Sequence, residues 1–197
     1  MSATSSYLIS RAPTVDELAT LRVTAHVERN ARRAGPGDVP PNLERFAPWF
    51  YVAENGRAFI PSRMELFGDA TGIFWLDDYA RLTPAGPTFP EWSCVTFGSL
   101  RPGQSVFVVS DVNAGFRLAQ LCGRPVIATL GTEFVDEVAR VILERIPAAD
   151  LCLCWGADVN ERDYFQSLAE SFGCRAVDLI AATRRLERIQ PAASGDG

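Results

Sequence analysis

The sequence predicts an α/β fold: a mainly parallel sheet flanked by helices, preceded by a helix and a small β-rich segment. Three observations carry this. Near-continuous apolar runs alternate with amphipathic stretches between residues 106 and 179, the pattern of parallel strands covered on both faces. Short aromatic and β-branched runs separated by turn residues fill residues 49–98. One stretch of partly helical period, opening at Val15, precedes them. The chain then divides into an N-terminal helix and linker (1–42), a β-rich segment (43–100), an α/β domain (101–181) and a C-terminal tail (182–197).

The first helix is expected over residues 15–33, where Val15, Leu18, Leu21 and Val23 give a partial apolar stripe. Thr14 followed by Glu17 makes a capping-box pattern at its start. Arg29, Arg32 and Arg33 are read as its basic end, where positive charge suits the helix dipole. The stretch AGPGDVPPN (34–42) carries Gly and Pro, which stop a helix, and is read as a linker or exposed loop. Next come WFYVA, RAFIPSRM, GIFWLDDY and WSCVTFG, with Asn55-Gly56 between the first two as a hairpin signal.

Strands are expected at 106–110, 125–130, 151–155 and 174–179, and helices at 114–121, 133–146 and 161–172. Each crossover is long enough to join parallel neighbours. The stretch QPAASGDG is read as a structureless tail.

Nearly half of the 197 residues are apolar, enough for one substantial core. A net charge of −5 argues against nucleic-acid binding through bulk electrostatics, although a local basic patch stays open. Every basic side chain among the 19 is arginine. Cys94, Cys122, Cys152, Cys154 and Cys174 are odd in number and mostly sit in apolar runs, so they read as reduced core residues of a cytoplasmic protein. No run approaches the roughly 20 apolar residues of a membrane span, and no membrane partner is expected. Paired metal-ligand spacing is missing, so no zinc is expected.

Polar residues gather just after three of the strands: Ser110, Asp111 and Asn113 after the first, Gly131, Thr132 and Glu133 after the second, Asp158, Asn160 and Glu161 after the third. In a parallel sheet all three loops open on one edge, where ligands of such folds bind. Two readings of Asp111 and Asp158 stand side by side. Carboxylates at such an edge can hold Mg²⁺, a hard cation that takes oxygen ligands; Asp is equally common as a helix N-cap. Thr132 is expected to cap the helix after it. Trp49, Phe50, Tyr51, Phe74 and Trp75 suit either base stacking or a core.

The stretches VFVVSDVNAGFRLAQ, PVIATLGT and LCLCWGADVNERD occur in an order and at a spacing that resemble the Toprim domain of primases, topoisomerases and related nucleases. The resemblance covers residues 104–179, and GRAFIPSRMELFGDATGIFWLD resembles the β-rich segment that precedes this domain in bacterial and phage primases. It implies a Toprim-like α/β fold, with the family's strand-ending glutamate falling on Ser110, its glycine on Asp111, and its Asp-x-Asp pair on Asp158 and Asn160. The usual catalytic acid or base is thus absent, and one formal charge is lost from the metal site.

Three expectations follow. The first is a primase-type module with a degenerate centre, without independent catalysis, that binds single-stranded nucleic acid or a replication protein of a phage, plasmid or other mobile element. The second is an active Mg²⁺-dependent nucleotidyltransferase or nuclease using Asp111 and Asp158, with Asn160 as a further, weakly attracting metal ligand. The third is an α/β interaction protein with no nucleic-acid role. Arg184, Arg185 and Arg188 are candidate nucleic-acid contacts, or a solvated helix end.

Overall fold

The computed structural model describes residues 15–63, 66, 70–86 and 93–189. Thr14, half of the expected capping box, lies outside the described residues, as does the stretch from Gln190 onward. The elements run α1 (Val15–Asn30), β1 (Arg32–Arg33), β2 (Tyr51–Val52), β3 (Ala58–Arg63), β4 (Ala70–Leu76), β5 (Leu82–Pro84), β6 (Cys94–Phe97), β7 (Ser105–Val109), α2 (Val112–Cys122), β8 (Val126–Thr129), α3 (Val135–Arg145), β9 (Asp150–Trp155), α4 (Val159–Phe172), β10 (Arg175–Asp178) and α5 (Leu179–Ile189).

Among the described residues all ten strands join one sheet, in the order β1-β2-β3-β6-β8-β7-β9-β10, with β4 and then β5 added on the far edge of β3. The four strands of the C-terminal half pair in parallel, β8 with β7, β7 with β9 and β9 with β10, as their buried apolar runs predict. The β-rich segment is no separate layer. Its last strand, β6, runs antiparallel to β8 from Cys94 opposite Thr129 to Phe97 opposite Val126, so it completes the α/β sheet.

One face is covered by α2, α5 and a 3-10 segment over Pro41–Trp49, with Leu43, Phe46, Phe50, Phe97 and Phe116 in its core. On the other face α3 and α4 bury Ile142 and Phe165 against Val106, Ile127 and Leu153. Burial of each such side chain contributes about 1.5–3 kcal/mol. A smaller cluster of Ala53, Phe59 and Ile73 lies under Val27 and Ala31 at the end of α1. Phe59 and Arg63 share a side of β3, and Arg63 pairs opposite Cys94, so α1 and the α3/α4 pair cover the same sheet face from opposite ends.

Several boundaries differ from expectation, each for a tertiary reason. The first helix ends at Asn30 because Arg32 and Arg33 leave it to pair with Val52 and Tyr51; only Arg29 lies in its last turn. Residues 34–42 are not simply an exposed loop: Ala34 and Val39 are buried, and Pro36–Asp38 forms a short 3-10 turn. Residues 182–189, placed in the tail, belong to α5, which buries Leu179 and packs Leu186 against the core. Asn55-Gly56 does turn β2 into β3, with Gly56 at φ +80°.

Candidate functional site

Parallel pairing brings the ends of β7, β8, β9 and β10 to one edge, and with them Ser110, Asp111, Gly131, Thr132, Asp158 and Asn160. Local chemistry there is largely that of helix starts. Asp111 is the N-cap of α2, accepting from the Ala114 amide at 2.6 Å. Asp158 is the N-cap of α4, accepting from the Asn160 amide at 2.8 Å. Asp178 repeats the device at α5, accepting from Ala181 N at 3.0 Å. Each carboxylate satisfies an otherwise orphaned amide and sits at the positive end of a helix.

Thr132 departs from expectation. It begins a short 3-10 turn, Thr132–Phe134, and α3 starts at Val135 without a side-chain cap. Its loop lies at the expected edge, but its hydroxyl does not cap the helix. Gly131 precedes it in extended backbone at φ −172°.

Glu161, which the sequence places among the polar residues of the third strand-end loop without a role of its own, links two strands. Its Oε1 accepts from the Ser110 hydroxyl at the end of β7, and its Oε2 accepts from the Gly156 amide after β9 at 2.7 Å. The available signal was Asp158 followed three residues later by Glu161, a variant of the capping-box spacing. Asn113, in the first turn of α2, clamps β5: its Oδ1 accepts from Leu82 N at 2.8 Å and its Nδ2 donates to Leu82 O at 3.1 Å. This fastens the β4–β5 hairpin beside the Asp111 loop.

Beneath the edge the polar groups are satisfied internally. Thr129 donates to the Val109 carbonyl at 3.2 Å, and Thr71 meets Ser93 at 3.0 Å. Among the described residues no group of three or more His, Cys, Asp or Glu side chains is placed to hold a metal ion. Asp111, Asp158 and Asn160 are exposed, and Ser110 and Glu161 are half-buried. Arg184, Arg185 and Arg188 are exposed on α5, whose Glu187 accepts from Arg117 Nε at 3.2 Å. His26 is exposed on α1 and meets Asn30 at 3.4 Å. No described helix is long and apolar enough to cross a membrane.

No family model matches this chain, and neither does any curated protein. Among solved structures it is similar to the primase fragment of the bacteriophage T7 primase-helicase protein, at 14% identity and a TM-score of 0.47, over 82% of this chain and 75% of that one. It is also similar to the DnaG primase catalytic domain bound to single-stranded DNA, at 17% identity and a TM-score of 0.38, over 80% of this chain and 56% of that one. The DnaG catalytic core is 18% identical, with a TM-score of 0.38, over 83% of this chain and 58% of that one. The chain therefore spans less than three fifths of the two DnaG structures.

Proposed function

We propose that this chain is a Toprim-like, primase-type module that binds single-stranded nucleic acid or a replication protein of a phage, plasmid or other mobile element, and that its strand-end centre is degenerate. The observation that carries this reading is the state of position 110. Where the Toprim resemblance puts a glutamate, Ser110 donates a hydrogen bond to Glu161, and the neighbouring carboxylates of Asp111 and Asp158 are engaged as helix caps. Such an edge is built to hold loops in place. Arg184, Arg185 and Arg188, exposed on the helix that leaves this edge, are candidate strand contacts.

A second reading is favoured by the parallel pairing of β7 with β9, which puts Asp111 and Asp158 on one sheet edge. An N-cap uses one carboxylate oxygen and leaves the other for a ligand, so a Mg²⁺-dependent nucleotidyltransferase or nuclease could use this pair with the Asn160 oxygen as a weak third ligand.

Two titrations separate the readings: a labelled single-stranded oligonucleotide by fluorescence anisotropy, and Mg²⁺ or Mn²⁺ by calorimetry. Oligonucleotide binding that metal leaves unchanged is the expected result. Metal binding that also enables cleavage or nucleotide transfer moves the conclusion to the enzyme. Binding of neither ligand removes the enzyme and the strand-binding module and leaves a protein-binding role.

A further inference from the structure

A groove of about 580 Å³ is lined by residues of β2, β3 and β6 and of the chain next to them. Its origin is a gap in the ladder. On one edge of β3, β2 pairs with Ala58 and Phe59 while β6 pairs with Arg63, so the stretch 60–62 between them has no strand partner on that edge. The groove sits over this gap, and among the described residues its charged lining is Arg33 and Arg63, in a chain that has 24 acidic and 19 basic residues.

Arg33 is held as a plane. Its guanidinium carbon lies 4.1 Å from the centroid of the Tyr51 ring, which is itself stacked on Phe59 at 5.7 Å and 26°. Arg33 Nη1 donates to the Pro48 carbonyl at 3.2 Å, one of five donors on that group. The residue is exposed, so a flat, oriented cation meets solvent at the groove wall. Arg63 is more muted, since Glu28 pairs with it at 2.6 Å. Thr96 and Ser99, which carry hydroxyls, also line the groove.

We propose that this groove takes a nucleoside phosphate, with the base stacked on the Arg33 plane and the phosphate held by the Thr96 and Ser99 hydroxyls with Arg63 behind them. A guanidinium fixed by an aromatic ring stacks on a base with little further loss of side-chain freedom, and such planes accept any base. The two arginines of the described lining favour the phosphate despite the chain's negative net charge. A free nucleotide and one unit of a single strand present the same chemistry. The inference takes its ligand class from the proposed function and adds a surface remote from the Ser110 loop.

The test uses the full chain, with a labelled twelve-nucleotide single strand and, separately, ATP as probes. Arg33→Ala removes the plane, and Ser99→Glu puts a negative charge on an exposed rim position without burying it. Arg175→Ala removes a guanidinium from β10, outside the groove, as the control. Loss of one stacked base predicts roughly tenfold weaker binding for Arg33→Ala. Its salt dependence should flatten by about 0.7 in log-log slope for each phosphate that is no longer neutralised. Ser99→Glu weakens binding in the same direction, and Arg175→Ala matches the parent. Effects on both probes support the shared site; effects on the strand alone or on ATP alone fix the source. If the parent binds the strand and both groove variants bind it equally well, the groove assignment falls while the proposed function stands. If polyglutamate displaces the strand as well as unlabelled oligonucleotide does, the site is a general anion surface and the assignment also falls. A parent that binds neither probe removes the groove assignment and, with it, strand binding by this chain.

Discussion

Ser110 donates its hydroxyl hydrogen to Glu161, tying the end of β7 to the first turn of α4. The same carboxylate accepts from Gly156 N, so one side chain joins two parallel strands where they leave the sheet. Glu161→Ala strands a half-buried hydroxyl and an amide at once, and each unsatisfied group costs about 1–3 kcal/mol when water cannot replace the partner. Both groups are half-buried, so water offsets part of the two costs and urea unfolding should show a total loss of about 1–3 kcal/mol, smaller for Glu161→Gln, which retains an acceptor oxygen. A Glu161→Ala protein as stable as the parent would show that the link contributes nothing.

Gly115 lies where α2 crosses the sheet. A Cβ built there would stand 2.8 Å from Val109 Cγ2 and 3.0 Å from Ala128 Cβ. Alanine favours a helix by up to about 1 kcal/mol over glycine, but overpacking a core costs about 1–3 kcal/mol. The clash should win, because both neighbours sit on strands that cannot yield separately. Gly115→Ala is expected to lower the thermal midpoint by a few degrees, and a rise would contradict this close approach.

The parallel half of the fold was legible because a strand buried on both faces must be apolar throughout, as Val106, Val108, Ile127 and Leu153 are. The partner of β6 was not legible, since nothing within Cys94–Phe97 says that it lies beside β8 rather than extending the hairpins. β5 escaped notice as three residues ending in proline. Strand order likewise hid the role of Glu161: only once β7 and β9 are neighbours does a side chain on α4 reach Ser110. Asp111 and Asp158 were placed at the right edge, with the cap reading realised. Thr132 failed as a cap because a 3-10 turn intervenes before α3.

Asp38 titrates low. Hydrogen bonds from Arg32 first and from the Gly35 amide second hold its carboxyl down at about 2. A carboxyl depressed in the folded state stabilises that state above its unfolded value of about 3.9, and the contribution fades as pH falls through the folded value. Asp38→Asn should therefore be less stable than the parent at pH 7, with the difference shrinking between about pH 4 and pH 2. Because the pair is exposed, the difference should be small. A gap that stays constant down to pH 2 would assign the effect to packing.

Burial pushes the Cys94 thiol up to about 12, with Arg63 opposing only weakly. Cys122 and Cys174 are also raised by burial, but both are only half-buried. The thiolate is the reactive form, so iodoacetamide at pH 8.5 should modify Cys122 and Cys174 in the native protein and reach Cys94 only on unfolding. Mass spectrometry of timed digests gives the order. Early labelling of Cys94 would mean that the β3–β6 contact opens readily.

Two substitutions should return the strand-end edge to metal binding. Ser110→Glu would place a second carboxylate against Glu161, at the position where the Toprim resemblance expects one, and Asn160→Asp would add a third negative charge beside Asp158. Without metal the double variant loses the Ser110 hydrogen bond and gains repulsion among carboxylates, which raises their pKa values, so it should unfold at a lower temperature than the parent. Mg²⁺ or Mn²⁺ should reverse this, because charge count is among the levers that tune affinity for such ions. A metal at ten times its dissociation constant adds about 1.4 kcal/mol to the folded state. Calorimetric titration should show tighter binding in the double variant, and its thermal midpoint should rise with metal while the parent's barely moves. Suppose instead that the variant folds but neither binds metal better nor gains stability from it. Positions 110, 158 and 160 then do not converge on one ion, and the degenerate-centre reading gives way to a plain interaction protein.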